Sequence, residues 1–286
     1  MYSAEVNRAQ PACLLLLIDQ SFSMSDPWSG TDTSKAQALA LAVNKILSTA
    51  VVLCSKGDDR ILDYFHVGVL GYGSEVTSEL DGTSISSPLL PVSLVNDAKK
   101  RVDRITKKMP DGAGGVFEAQ VHMAIWVDAV HNGRTAMVQA FTTAEKALAD
   151  WCAKNPSSFP PILINITDGV STDGDPSPVT DRIRKIETKD GQALVFNLHI
   201  SGAANGDIRF PNTADGMPDE YASLLFGMSS ALPPSMAEAA SSLNYAIKPG
   251  ARGFLYNADA ASVIEFLDIG TRAVTPGGLK ELTDGN

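Results

Sequence analysis

Ala12-Cys13-Leu14-Leu15-Leu16-Leu17-Ile18-Asp19-Gln20-Ser21-Phe22-Ser23 is the stretch on which the fold turns. Its apolar run has no polar interruption and ends abruptly at a carboxylate. A strand with one wet face would alternate, so this run reads as a strand buried on both faces, the habit of parallel sheets. A secretory core needs roughly 7–15 apolar residues behind a basic segment, then a small-residue cleavage site. Here Asp19 stops the run and Gln20-Ser21-Phe22-Ser23 follows. No stretch approaches the roughly 20 apolar residues of a membrane span. The expected location is the cytoplasm, with no membrane partner.

Outward from that strand, the pattern alternates. Ser34–Leu53 has helical spacing (Leu39, Val43, Ile46, Leu47, Ala50) with Ser34 as N-cap. Tyr64–Tyr72 reads as a second strand and Glu75–Leu80 as its short return. Leu94–Met109 reads as a helix with basic residues on its wet face, and Gln120–Val130 as extended. Asp111-Gly-Ala-Gly-Gly115 breaks the chain between them. Ala136–Lys154 is a helix, Ile162–Thr167 a buried strand, Asp181–Thr188 a short helix and Ala193–Ile200 a strand. Met236–Leu243 and Ala258–Thr271 read as helices around a strand at Gly253–Tyr256. Such alternation implies an α/β fold, doubly wound, with a mostly parallel central sheet and helices on both faces. Residues 1–286 are expected to form one elaborated domain, with its core at about 12–270 and an insertion around 81–131.

Composition narrows the function. The 286 residues are 44% hydrophobic and 20% charged, with a formal net charge of −10. That is globular composition, and its sign argues against a nucleic-acid partner. The three cysteines, Cys13, Cys54 and Cys152, are far apart and odd in number, so they suggest neither a disulfide framework nor a zinc cluster.

In an open α/β sheet, ligands bind beyond the carboxyl ends of the strands. After the first strand come Asp19, Ser21 and Ser23. After Ile162–Thr167 come Asp168 and Gly169. Gly133-Arg134-Thr135 precedes the Ala136 helix. Two carboxylates and three hydroxyls are thereby brought toward one edge. All are hard oxygen ligands, a set that suits Mg²⁺, with Mn²⁺ and Ca²⁺ as alternatives. An extended loop would point Asp19, Ser21 and Ser23 the same way. Read singly, Asp19 and Asp168 are ordinary strand-end caps; a metal accounts for all five together.

DxSxS after an apolar first strand, Gly-x-Thr before a helix and Thr-Asp-Gly after a later strand resemble the von Willebrand factor A (VWA) domain. The resemblance implies a metal-ion-dependent adhesion site made of Asp19, Ser21, Ser23, Thr135 and Asp168, rimmed by Arg134 and Gly169. Arg134 departs from the small residue usual before the threonine. Thr83, in Asp81-Gly-Thr83, is a competing threonine, disfavoured because the helix after Thr135 leads directly into Ile162–Asp168. Asp111–Gly115, Phe159-Pro-Pro161, Ile166–Gly169, Gly250–Phe254 and Phe266–Gly270 are similar to bacterial cytosolic VWA proteins of the tellurium-resistance-associated TerY-like group. That implies a stress-response or defence setting, with a kinase, phosphatase or ATPase among the partners.

Other constellations are weak. His66, His122, His131 and His199 are scattered. No Gly-x-Ser-x-Gly elbow or Walker A motif occurs. Asp173-Gly-Asp175 reads as a solvated turn, Lys99–Lys108 as a solvated basic face, and Asn165-Ile-Thr167 as a sequon within a buried strand. The expectation is a non-enzymatic, metal-dependent module that binds a protein partner through its Asp or Glu. The alternative is a hydrolase using Mg²⁺-activated water.

Overall fold

The structure is a computed structural model and describes residues 2–28, 31–56, 60–110, 115–200 and 206–272. The chain opens with β1 (Ala12–Asp19), α1 (Lys35–Cys54), a small hairpin of β2 (Ser55–Lys56) and β3 (Arg60–Ile61), then β4 (Phe65–Tyr72) and β5 (Val76–Ser78). Next come β6 (Leu89–Pro91), α2 (Val92–Asp97), β7 (Arg101–Pro110), β8 (Val116–Ile125), α3 (Met137–Lys154) and β9 (Ile162–Thr167). The remainder is α4 (Ser177–Ile183), β10 (Glu187–Thr188), β11 (Gly191–Gln192), β12 (Leu194–Ile200), β13 (Ile208–Arg209), α5 (Glu220–Met228), α6 (Pro234–Ser242), β14 (Phe254–Ala258) and α7 (Ala260–Arg272).

The apolar run does what its composition demands. Every residue of β1 is buried, and β1 pairs in parallel with β4 on one side and β9 on the other. The main sheet runs β13-β14-β12-β9-β1-β4-β5, with β6 also on β4. β14, β12, β9, β1 and β4 are parallel, while β13, β5 and β6 add antiparallel edges. Side chains alternate across the sheet. Leu14, Leu16 and Ile18 join a core that includes Leu39, Val43 and Leu47 of α1 and Val263 and Phe266 of α7. Leu15 and Leu17 join Phe141 and Leu148 of α3, Ile183 of α4 and Leu225 of α5 on the other face. This is an α/β fold with a mixed, mostly parallel sheet covered on both faces.

α1 begins in a full capping box. The Ser34 side chain accepts from the Gln37 N–H, and the Gln37 side chain accepts from the Ser34 N–H. By length and composition alone α1 could cross a membrane, with a mean hydropathy of 1.6; 56% of that window is buried in the fold.

Three expectations need correction. Leu94–Met109 is not one helix: α2 ends at Asp97, and β7 pairs residue for residue with β8 over ten positions. Lys and Arg are good helix formers, but propensity is a weak prior, and Val102, Ile105 and Thr106 among them are β-branched. Here the antiparallel partner strand Val116–Ile125 satisfies the backbone instead, and the extended stretch expected at Gln120–Val130 begins earlier, at Val116. The helix expected at Asp181–Thr188 lies at Ser177–Ile183, begun by Pro176 and Ser177-Pro178, because proline fits the first helical turn. α5 is an additional helix beyond those the sequence pattern implies; Asp219 caps it by accepting from the Ala222 N–H at 2.7 Å. Of the Asp111–Gly115 break, residues 111–114 lie outside the described residues.

Candidate metal centre

The three strand-end loops are joined by backbone hydrogen bonds. Gln20 O accepts from Asn132 N at 2.7 Å, Gly133 O from Phe22 N at 3.1 Å, and Thr135 O from Thr172 N at 2.9 Å. Thr135 N donates to Thr172 Oγ1 at 3.1 Å. Asp173 receives the N–H groups of Val138 and Gln139 at the start of α3, at 3.0 and 2.9 Å. The turn read as solvated is therefore the cap that α3 lacks in its own sequence. Gly133 makes the join feasible: its φ is +75°, and a Cβ there would lie 2.0 Å from Ser74 Oγ.

The first loop is not extended. Asp19 Oδ1 accepts from Ser21 N at 2.8 Å, an Asx-type turn, and residues 22–25 wind into a 3₁₀ turn anchored by buried Met24. Ser21 Oγ and Ser23 Oγ nonetheless come to 3.1 Å of each other. Ser23 Oγ donates to Asp168 Oδ1 at 2.7 Å. Asp19 Oδ2 accepts from Thr167 Oγ1 at 2.7 Å. A Cβ on Gly169 would lie 3.8 Å from both Ser23 Oγ and Thr135 Oγ1, so Gly169 borders these hydroxyls without covering them. All five candidate ligands thus meet at one sheet edge. Thr83 does not: it donates to Leu80 O in the turn after β5 and contacts Ser78 Oγ.

The donor set is well shielded. Asp19, Ser21 and Thr135 are 1%, 3% and 5% exposed, and the Asp168 side chain has no exposure. Burial pushes the Asp19 carboxyl up to about 6, against hydrogen bonds from Ser21 and Thr167 that favour its charged form. Two carboxylates and three hydroxyls fit a hard divalent cation. Among the described residues no group of three or more His, Cys, Asp or Glu side chains converges anywhere, so the hydroxyls are needed to make a site here. Asp19, Ser21, Ser23 and Thr135 would hold the ion, with Asp168 behind Ser23.

Several neighbours of the site carry little sequence signal. Lys35 Nζ lies 2.8 Å from Asp168 Oδ2; the available signal was a lysine at the first helical position, where acidic residues are preferred. Phe22 and Val170, 71% and 58% exposed, flank the ligands in sequence as bare apolar side chains. Arg134 is exposed as expected of a rim residue. His66 and His199 serve packing: His66 Nδ1 accepts from Trp151 Nε1 at 2.9 Å, and His199 stacks on Tyr256 at 4.4 Å. Asn165 is fully buried and donates to Asn197 Oδ1 at 3.1 Å.

No family model matches the chain, and no curated protein does. Among solved structures, the pilus adhesin SpaC from Lactobacillus rhamnosus GG is 14% identical with a TM-score of 0.48, over 93% of this chain and 30% of its own. Proximal thread matrix protein 1 from the mussel byssus is 13% identical with a TM-score of 0.46, over 93% and 48%. The conserved hypothetical protein BatB from Bacteroides thetaiotaomicron is 11% identical with a TM-score of 0.44, over 92% and 98%. The chain therefore spans about half of the mussel protein and under a third of the adhesin. Likeness at this level carries no functional inference.

Proposed function

We propose that the chain is a VWA-type protein-binding module that holds a divalent cation, Mg²⁺ first, through Asp19, Ser21, Ser23 and Thr135, with Asp168 in support. A partner Asp or Glu completes the ion's shell. The supporting observation is the meeting of five oxygen-bearing side chains from three loops that are hydrogen-bonded to one another. Only Asp19 among the direct donors carries charge, so the ion keeps positive charge at its open face, which a carboxylate satisfies and a Lys or Arg does not. Phe22, Val170 and Arg134 are the exposed side chains that would meet the partner around that contact. With the chain at −10, the complement is a single carboxylate on a neutral or basic partner face. A bacterial cytosolic stress-response or defence system, with a kinase, phosphatase or ATPase as partner, is the setting we infer from the short TerY-like motifs alone. In the fold Phe159, Phe254 and Phe266 of those motifs are core residues, so they speak to packing and not to partner choice.

The hydrolase alternative needs a general base. His199 interacts with Asp168, but burial pushes its pKa down to about 4, which makes it a weak base at neutral pH.

Calorimetry with Mg²⁺ and Mn²⁺ on wild type and Asp19→Ala tests the site; binding that is the same in both removes Asp19 from it. Ser21→Ala with Ser23→Ala should weaken partner capture by about 2–5 kcal/mol, and chelation should do the same until Mg²⁺ is restored. Capture indifferent to both would move the partner to another surface, with the basic stretch 99–108 next in line. Metal-dependent ester hydrolysis lost in Asp19→Ala would favour the enzyme instead.

A further inference from the structure

Lys35 occupies a place that suits a lysine poorly. Its side chain is 8% exposed, and it is the first residue of α1, where the helix dipole presents its positive end. A buried ammonium at a positive helix terminus persists only if something there holds it. Nζ donates to Asp168 Oδ2 at 2.8 Å and to Ser23 O at 3.4 Å, with Asp26 Oδ2 at 3.7 Å. The Asp26 side chain is 65% exposed, so the close buried partner is Asp168. Asp168 is then engaged on both oxygens, Oδ1 by Ser23 and Oδ2 by Lys35.

We propose that Lys35 is a positioning and charge-setting residue of the cation site: it fixes Asp168 and lowers the negative charge around the ion from two to one, keeping the site's own affinity low until a partner carboxylate arrives. The inference rests on the cation reading of Asp19, Ser21, Ser23, Thr135 and Asp168. The two carboxylates would otherwise draw a divalent ion strongly into a buried site. One fixed positive charge opposes every divalent ion that enters, and the deficit is made good by the partner's charge. Binding of metal and partner thereby becomes mutually dependent.

Mn²⁺ titration by calorimetry on wild type, Lys35→Met and Lys35→Arg reads this directly. Lys35→Met should bind Mn²⁺ about ten- to a hundredfold more tightly, the size expected for removing one charge close to a divalent ion in a partly shielded site. Lys35→Arg should stay within about threefold of wild type, since it keeps the charge. The metal-free melting temperature of Lys35→Met should fall, because Asp168 loses its partner, and should rise on Mn²⁺ addition by more than wild type does. If the methionine variant fails to fold, Lys35→Gln keeps a donor for Asp168 without the charge and should tighten binding likewise. Unchanged or weaker Mn²⁺ binding on removing the charge, with wild type binding normally, overturns the role of Lys35 and leaves the cation site standing. No Mn²⁺ binding by any of the proteins overturns the cation site, and this inference with it.

Discussion

Asp19→Asn is expected to stabilise the metal-free protein while abolishing its response to metal. Asp19 is buried, and its carboxyl is pushed from the ordinary 3.8 up to about 6. A rise of that size corresponds to about 3 kcal/mol by which the folded state resists the charged form. The introduced amide carries no charge and conserves the contacts. Its oxygen still accepts from Ser21 N, and its NH₂ group donates to Thr167 Oγ1, whose own proton turns to Gly169 O, 3.0 Å away. Allowing about 1 kcal/mol for weaker neutral hydrogen bonds leaves a gain of about 2 kcal/mol, or roughly 4 °C in melting temperature for a chain of this length. The pH dependence has a definite sign. Because the folded pKa is raised, the wild-type contribution is complete below 3.8 and is lost as pH rises through about 6. The advantage of Asp19→Asn should therefore be small near pH 4 and full above pH 6. Thermal melts in chelator across that range measure it, and repeating them in Mg²⁺ should reverse the order, since only wild type gains from the ion. A variant less stable than wild type in chelator, or a difference flat with pH, would mean that Asp19 is not held charged at a cost in the metal-free fold.

Asn44→Ala should cost roughly 4 kcal/mol in urea unfolding, because buried Asn44 accepts from the N–H groups of Trp126 and Val127 and donates to Val127 O; a loss below about 1 kcal/mol would mean that water replaces the side chain. Gly133→Ala should destabilise by about 2 kcal/mol or more and weaken Mn²⁺ binding at least about tenfold, since φ +75° and the close approach of Ser74 both exclude a Cβ and Thr135 lies two residues on; unchanged metal affinity at lowered stability would show that the Thr135 loop is set independently of this turn.

Local chemistry alone specifies the central strand, the first long helix and the candidate ligands. The run from Ala12 to Ile18 is too apolar to have a wet face, so it could only be a central strand, and Ile162–Thr167 followed for the same reason, while helical spacing behind a Ser34 cap marked the first long helix. The five candidate ligands were legible because strand ends in such a sheet are where side chains must gather, and Asp, Ser and Thr there are recognisable one by one. Tertiary structure decided what depends on partners distant in the chain. Arg101–Pro110 became a strand because Val116–Ile125 offers it a hydrogen-bonded partner, which outweighs a small local helical preference. Asp173 became the cap of α3 only because the loop after β9 passes the start of that helix. Lys35, 133 residues from Asp168, is an ordinary helical lysine until the sheet brings the two within 2.8 Å with both side chains buried; pairing between distant charges leaves no trace in local period or propensity, because only the folded chain sets the distance and the dielectric that give it its strength.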